Sequence, residues 1–173
     1  DQEYVNAGAE IVLSSSDLLS SADIILKVLP PTQDETSQLK SSAIFISFFQ
    51  TTREVQTVQA LTEKSITGFS MHLIPRTTLA QKMDALSSQA NIAGYKSVLI
   101  AASRLGVYMP LLMTAAGTIR PAKVLILGAG VAGLQAIATA KRLGAQVEAF
   151  DVRPVVKEQV ESLGAKFIEV ESD

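Results

Sequence analysis

Short apolar runs alternate with longer amphipathic stretches along most of the chain. Six runs rich in valine, isoleucine, leucine and phenylalanine have the length and composition of buried strands: residues 24–28, 43–49, 66–71, 124–127, 147–150 and 167–170. Apolar strands separated by helical patterns are typical of a parallel sheet that is covered on both faces. The pattern therefore predicts an α/β protein.

A second pattern marks where helices end and strands begin. A Gly-Ala pair, one polar residue and an apolar run follow each other at Gly8, Gly144 and Gly164. A glycine just after a helix adopts the left-handed conformation that ends it, and the apolar run then predicts a strand. Between the second and third candidate strands, Thr51 and Glu54 have capping-box spacing, which predicts that a helix starts there.

The longest helical pattern, residues 79–105, separates two groups of strands. We predict a partial N-terminal domain over residues 1–104 that includes this helix, a connector over 105–120, and the N-terminal half of a second domain over 121–173. Both domains are expected to be incomplete. The chain begins with Asp1 and lacks the pattern of a signal peptide, so we expect it to be internal to a longer protein.

Amino-acid composition and net charge limit the binding partners and the chemistry that the chain can be expected to have. The 173 residues are 47% hydrophobic and 18% charged, which is enough apolar material for a sizeable core. The formal charge of −2 and the absence of a basic run argue against nucleic acid as a partner and give no reason to expect attraction to a membrane surface. The sequence has no cysteine, so disulfides and thiolate chemistry are excluded.

Residues 124–140 carry no charge and approach the length of a short transmembrane helix. Gln135 and the glycines at 128, 130 and 133 argue against a spanning helix, because the glycine spacing has a better explanation. The apolar run 124–127 leads directly into Gly128-Ala-Gly-Val-Ala-Gly133, and a helical pattern follows. This is the dinucleotide-binding fingerprint in its required setting of strand, turn and helix.

Each glycine of the fingerprint has its own physical role. The first permits a tight turn, the second lets a diphosphate approach the backbone, and the third lets the helix pack on the strand. Free N–H groups and the helix dipole then bind the phosphates. The candidate cofactor-binding residues of this turn are Gly128, Gly130, Val131, Ala132 and Gly133.

An acid follows the next predicted strand. Asp151 lies about twenty residues after the glycines, where a carboxylate would hydrogen-bond the adenosine ribose hydroxyls and select NAD(H) over NADP(H). Val152 and Arg153 complete this candidate segment, and Arg153 could instead hold a 2′-phosphate. The alternative is a tight turn without a ligand, followed by a solvated strand end.

Three polar side chains lie close together in sequence around the start of the predicted long helix, without any nearby nucleophile. Gln81 and Asp84 are three residues apart and are expected to share a face at the start of the helix, and Arg76 lies just before it. These side chains could converge on one ligand. On spacing alone, a solvated helix start is the favoured explanation.

These stretches carry a resemblance to a known family. "PRTTLAQKMDALSSQANIAGY", "MTAAGTIRPAKVLILGAGVAGLQAIATAKRLGA" and the "DVRP" and "KEQVESLGAKF" segments closely resemble the NAD(H)-binding alpha subunit of proton-translocating NAD(P) transhydrogenase. Alanine dehydrogenase is similar in fold and shares the glycine motif, but it lacks the Arg-Gln-Asp segment.

The resemblance implies an assignment for the three polar side chains. It would place Arg76, Gln81 and Asp84 as catalytic-site residues where a second nicotinamide docks beside NAD(H), with Ser87 as a further contact to the nicotinamide end. It also implies two Rossmann-like domains per subunit, a homodimer, a partner domain that carries NADP(H), and a membrane domain for proton translocation. The chain would then lie peripherally on the cytoplasmic side of a membrane or in the mitochondrial matrix, as a soluble part of the complex.

Direct hydride transfer between two nicotinamide rings moves no separate proton, so such a site needs no general base and no metal. An alanine dehydrogenase makes and breaks an imine and needs a proton donor. The resemblance puts that family's histidine in the stretch "FISFFQTT", which here has none. His72, where an acid is usual, is expected to make a local hydrogen bond. Lys27 resembles a substrate-binding lysine of alanine dehydrogenase and is expected to be an ion pair or a remnant of the fold.

Three hypotheses remain from the sequence. The first is a transhydrogenase component that passes hydride from NADH to NADP+ on a partner. The second is an alanine dehydrogenase-like NAD-dependent oxidoreductase, and the third is a non-catalytic NAD-binding module. Pyruvate with ammonia should consume NADH only under the second.

Overall fold

The computed structural model describes residues 1–169. Two compact units divide the chain, Asp1–Asp84 and Ala85–Asp173. The second unit therefore begins with the long helix, which the sequence pattern assigned to the first domain. The functional boundaries at residues 104 and 121 stay predictions.

The first unit is a three-stranded parallel sheet with helices packed on one face. Its elements in chain order are α1 (Gln2–Asn6), α2 (Ser15–Ser21), β1 (Ile24–Leu26), α3 (Gln33–Gln38), β2 (Ile44–Ser47), α4 (Val55–Glu63), β3 (Thr67–Ser70) and the 3₁₀ turns Met71–Leu73 and Gln81–Met83. The sheet order is β1-β2-β3, and Phe45 at its centre pairs with Ile25 and Gly68. Phe45 is fully buried and belongs to a core that includes Leu19 and Leu61 from the helices.

Local side chains explain how these helices begin. Thr32 accepts a hydrogen bond from the backbone N–H of Glu35, and Glu35 caps Thr32 in return, which forms a capping box at α3. The capping box predicted at Thr51 is wrong. Residues 51–53 form a turn in which the backbone N–H of Glu54 donates to the carbonyl of Gln50 (2.8 Å), and this turn delays the start of α4 to Val55.

The second unit contains the long helix, a hairpin and a second parallel sheet. Its elements are α5 (Ala85–Arg104), β4 (Leu112–Thr114), β5 (Gly117–Ile119), β6 (Lys123–Leu127), α6 (Val131–Arg142), β7 (Gln146–Phe150), a 3₁₀ turn (Pro154–Val156), α7 (Lys157–Ser162) and β8 (Lys166–Phe167). The sheet order is β6-β7-β8, all parallel. Ile137 and Val160 from α6 and α7 are fully buried against Ala149 of β7.

The predicted fold class is confirmed, because both sheets are parallel and alternate with helices. Gly144 and Gly164 have φ of +89° and +77°, and β7 and β8 follow them within two residues. Gly8 also has a positive φ, but residues 9–14 form no strand, since the described sheet of the first unit contains only β1, β2 and β3. The last residue of the strand predicted at 167–170 lies outside the described part of the chain.

Two elements differ from the sequence prediction. The segment predicted as a connector contains the antiparallel hairpin β4–β5, in which residues 115–116 form the turn and Gly117 begins β5 with φ +111°. The long helix starts at Ala85 rather than residue 79. Asp84 has ψ 77°, outside the helical region, and so separates the preceding 3₁₀ turn from the helix.

Each sheet has one face in contact with solvent, and large apolar side chains lie on it. Leu26 and Phe69 are 75% and 55% exposed in the first unit, and Leu125 and Leu127 are 54% and 75% exposed in the second. Two-sided coverage, which the strand composition predicted, is therefore absent from the described residues. No helix within residues 1–169 combines the length and the hydropathy that crossing a bilayer requires.

Candidate functional site

The glycine-rich turn connects the carboxyl end of β6 to the first turn of α6. Gly128 has φ +94°, a conformation that side chains disfavour, and Gly130 is the N-cap of α6. A Cβ on Gly133 would overlap the Gly128 carbonyl group, with its carbon only 2.8 Å away. The first and third glycines are thus required by the turn itself. The N–H groups of the first turn of a helix have no intrahelical acceptor, so this turn can bind an anion.

Asp151 directly follows β7, and its carboxylate links the glycine-rich turn to the end of this neighbouring strand. One of its carboxylate oxygens accepts the backbone N–H of Ala129 at 2.7 Å, and the other accepts the backbone N–H of Arg153 at 2.8 Å. The Arg153 guanidinium adds contacts of 3.0 and 3.1 Å through Nε and Nη2. The structure therefore brings the glycine turn and the predicted acid together, at the adjacent carboxyl ends of two parallel strands.

These hydrogen bonds also fix the charge of the carboxylate. The Arg153 side chain, followed by the backbone N–H groups of Arg153 and Ala129, holds the pKa of Asp151 well below its usual range. The Asp151 side chain is only 7% exposed, whereas that of Arg153 is 56% exposed. Val152 is also well exposed beside it.

The predicted catalytic residues lie in the first unit, around its last turn. Arg76 follows Pro75 in an irregular segment, where the N–H of Thr77 donates to the Pro75 carbonyl at 3.0 Å. Gln81 opens the 3₁₀ turn and is exposed. The N–H of Asp84 donates to the Gln81 carbonyl at 3.3 Å. The interpretation that Gln81 and Asp84 share a face of the long helix is wrong, because both precede it.

Ser87 lies in the first turn of α5 and therefore belongs to the second unit. The predicted nicotinamide-end residues are thus divided between the two units. His72 lies just after β3, with its Nε2 atom 3.4 Å from the Gln50 amide nitrogen and its ring edge-on to Phe48. The expected local partner of His72 is present. Across the described residues, no group of three His, Cys, Asp or Glu side chains could hold a metal ion.

Lys27 follows β1 and pairs with Glu35 on α3. Its Nζ atom lies 2.6 Å from both carboxylate oxygens, and both side chains are about one-third exposed (31% and 30%). The predicted ion pair is therefore confirmed. The hydrogen bond from Lys27, followed by that from the Thr32 backbone, lowers the pKa of Glu35. The ammonium that a substrate carboxylate would need is already paired.

The Lys27–Glu35 pair predicts a small pH-dependent contribution to stability. Because the folded pKa of Glu35 is depressed, the contribution is present above the unfolded pKa and is lost as pH falls through the folded value. Glu35→Gln keeps an amide that can cap α3 but removes the charge, and should cost under about 1 kcal/mol at pH 7. Thermal melts of both proteins should converge as the pH falls below about 4. A gap that is constant from pH 7 to 3 would contradict this assignment.

One feature of the site escaped the sequence prediction. Gly94 lies in the middle of α5 and is buried against Ala132 in the first turn of α6. One turn before it, the Asn91 side chain donates to Gln135 Oε1 at 3.0 Å. A glycine inside an otherwise regular helical pattern was the available signal, because it costs helix stability and so indicates a packing reason.

A glycine-rich turn between a parallel strand and a helix, with a fixed acid on the next strand, defines the Rossmann-like class of nucleotide-binding folds. The chain belongs to the alanine dehydrogenase/PNT family. The model of the family's N-terminal domain matches residues 1–93, and that of its C-terminal domain matches residues 97–173.

Individual relatives are transhydrogenase components. The first part of the NAD(P) transhydrogenase subunit alpha of Rhodospirillum rubrum is 48% identical over the whole chain, which spans 46% of that protein. A crystal structure of transhydrogenase from Sinorhizobium meliloti superposes with TM-score 0.88 and 51% identity, covering 98% of this chain and 50% of that one. An L-alanine dehydrogenase structure has TM-score 0.75 and 26% identity, with 96% and 47% covered. The chain therefore spans about half the length of these relatives.

Proposed function

We propose that this chain is the NAD(H)-binding part of a proton-translocating NAD(P) transhydrogenase alpha subunit. The observation that carries the proposal is the hydrogen bond from Ala129 to Asp151, which holds an acid beside a helix start that is open to an anion. The similarity to transhydrogenase alpha subunits over the full length of the chain supports the same reaction class.

NADH would bind along the edge formed by β6 and β7. Its diphosphate would accept hydrogen bonds from the first turn of α6, at Val131, Ala132 and Gly133, and would pass close to Gly130. The adenosine ribose would hydrogen-bond Asp151, beside Val152, after the Arg153 guanidinium has moved. The open space at Gly130 supports this path, because a Cβ built there would meet nothing within 4 Å in the free protein.

The reaction would be direct hydride transfer from NADH to NADP+ on a partner domain. Arg76, Gln81 and Asp84, with Ser87, would orient the reduced nicotinamide so that the two rings meet face to face without water. The hydride carries both electrons, so NADH is oxidised to NAD+ as NADP+ is reduced, and no acid or base is required. These side chains would orient the nicotinamide ring and would not serve as proton donors or acceptors.

The remaining parts of the complex follow from the same proposal. The full protein would form a homodimer, bind an NADP(H)-carrying domain, and contact a membrane domain that couples the reaction to proton translocation. The chain would lie on the cytoplasmic side of that membrane, or in the mitochondrial matrix. Its two domains would correspond to residues 1–104 and 121–173, joined by the connector 105–120.

The alternative, an alanine dehydrogenase-like activity, is supported by the likeness to that enzyme's structure and by the family that the two enzymes share. The pairing of Lys27 with Glu35 opposes it, because a carboxylate of the chain itself already neutralises the ammonium. Purified protein mixed with an NADP(H)-binding partner should reduce NADP+ at the expense of NADH. NADH consumption with pyruvate and ammonia, without activity toward NADP+, would overturn the proposal.

Asp151 provides the test of cofactor choice. Asp151→Asn should weaken NADH binding by about tenfold, because the neutral amide is a poorer acceptor for the ribose diol and for the Ala129 N–H. NADPH binding should change much less, so the preference for NADH should narrow. Calorimetric titration of both nucleotides measures this. If the unchanged protein bound NADH and NADPH with equal affinity, Asp151 would have no role in selecting NADH.

A further inference from the structure

We propose that Gly94 of the long helix α5 is a positioning residue for the dinucleotide site. Its missing side chain allows α5 to contact the first turn of α6 and thereby sets the position of the N–H groups that receive the diphosphate. The inference rests on the proposed NAD(H) binding and adds to it a residue that makes no contact with the nucleotide.

The contact itself is unusually close. A Cβ on Gly94 would overlap the backbone carbonyl oxygen of Ala132 and lie 2.9 Å from its carbon and 3.0 Å from its Cα. All three atoms are backbone, so no flexible side chain could move away to relieve the overlap. Gly94 and Val98 are the buried residues of α5, and they lie one turn apart on one face of the helix.

The first turn of α6 also packs tightly against the glycine turn that precedes it. A Cβ on Gly133 would overlap the Gly128 carbonyl, so α6 cannot move closer to the glycine turn. An added methyl group at position 94 must therefore displace α5 or distort the residues around Ala132. Those residues, Val131 to Gly133, are the ones whose N–H groups point out of the helix start.

A hydrogen-bonded amide pair reinforces this contact one turn away. Asn91 of α5 donates to Gln135 Oε1 at 3.0 Å, and Gln135 Nε2 donates to the buried Thr139 hydroxyl at 3.1 Å. The pair fixes the register of α5 along α6. Through the close approach at Gly94 and the amide pair, α5 packs against the start of α6 and fixes its position.

The experiment compares Gly94→Ala with Val98→Ala in the purified full-length protein. Val98 is 5% exposed in the same core, so its truncation lowers stability by removing volume without pushing the helices apart. At a temperature where both variants are folded by circular dichroism, Gly94→Ala should weaken NADH and ADP-ribose binding by about tenfold or more, and Val98→Ala by less than about twofold. ADP-ribose is included because it carries the diphosphate without the nicotinamide.

Each outcome either supports or overturns the role of Gly94. Unchanged affinity in Gly94→Ala, or equal losses in both variants, would overturn the inference while NADH binding by the unchanged protein kept the proposed function intact. No NADH binding by the unchanged protein would overturn both. Should Gly94→Ala fail to fold, Asn91→Ala removes the amide contact alone and should weaken NADH binding by about threefold. Unchanged NADH affinity in Asn91→Ala would then overturn the inference.

Discussion

Alanine in place of Gly130 should weaken NADH binding by about a hundredfold and leave the melting temperature of the free protein nearly unchanged. The backbone at Gly130 has φ −78° and ψ −167°, which alanine adopts without strain, and an added Cβ would meet no atom within 4 Å. The new methyl group would instead occupy space through which a diphosphate must pass to reach the first turn of α6. Calorimetric titration with NADH and a thermal melt of the free protein measure the two effects.

Gly133→Ala is the matched comparison, because its Cβ would overlap the Gly128 carbonyl in the free protein. This variant should lose both stability and binding, with a melting temperature lower by several degrees for each ~1 kcal/mol of overlap energy. The melting temperature of the free protein would then distinguish Gly130→Ala, which affects binding, from Gly133→Ala, which affects both folding and binding. Normal NADH affinity in Gly130→Ala would show that the diphosphate does not approach the turn.

Local patterns explain why the core of the candidate site could be predicted. Gly128 and Gly144 need positive φ for reasons that lie within a few residues of chain, and both have it. The parallel pairing of β6 with β7 follows from one strand–helix–strand unit, in which the connection length and handedness leave little choice. Asp151 then reaches the glycine turn because parallel strands end at the same edge.

Contacts between distant residues explain what the sequence pattern missed. The apolar periodicity at 79–105 continues through residues 79–84, but the turn around Gln81 and the backbone at Asp84 interrupt the helix there. The hairpin β4–β5 is short and weakly apolar, so the sequence contains no periodic pattern that predicts it. The role of Gly94 depends on Ala132, which is far along the chain and presents only its backbone.

Arg153 illustrates a choice that sequence spacing leaves open. Two residues after Asp151, its guanidinium could have bound a 2′-phosphate or the acid itself. In the free protein it contacts both Asp151 oxygens, and the Asp151 contact raises the pKa of Arg153. The acid thus keeps its charge whether or not a ribose is bound, since Ala129 and the Arg153 backbone also donate to it.

Gln81→Ala should slow transhydrogenation by about a hundredfold while NADH affinity changes by less than about twofold. Gln81 is exposed in the last turn of the first unit, remote in sequence from the diphosphate site, so its loss removes orientation of the nicotinamide rather than binding of the nucleotide. The measurement is the single-turnover rate of NADP+ reduction in the assembled enzyme, together with an NADH titration.

Lys82→Ala is the control for Gln81→Ala, because Lys82 occupies the same exposed 3₁₀ turn without a proposed contact to the ring. Its rate should match that of the unchanged enzyme within about twofold, since surface substitutions have small effects. Equal losses in both variants would mean that the turn as a whole is needed, not the Gln81 amide. A Gln81→Ala enzyme with weakened NADH affinity and an unchanged rate at saturation would instead make Gln81 a binding residue, since only groups that act in the transition state lower the saturated rate.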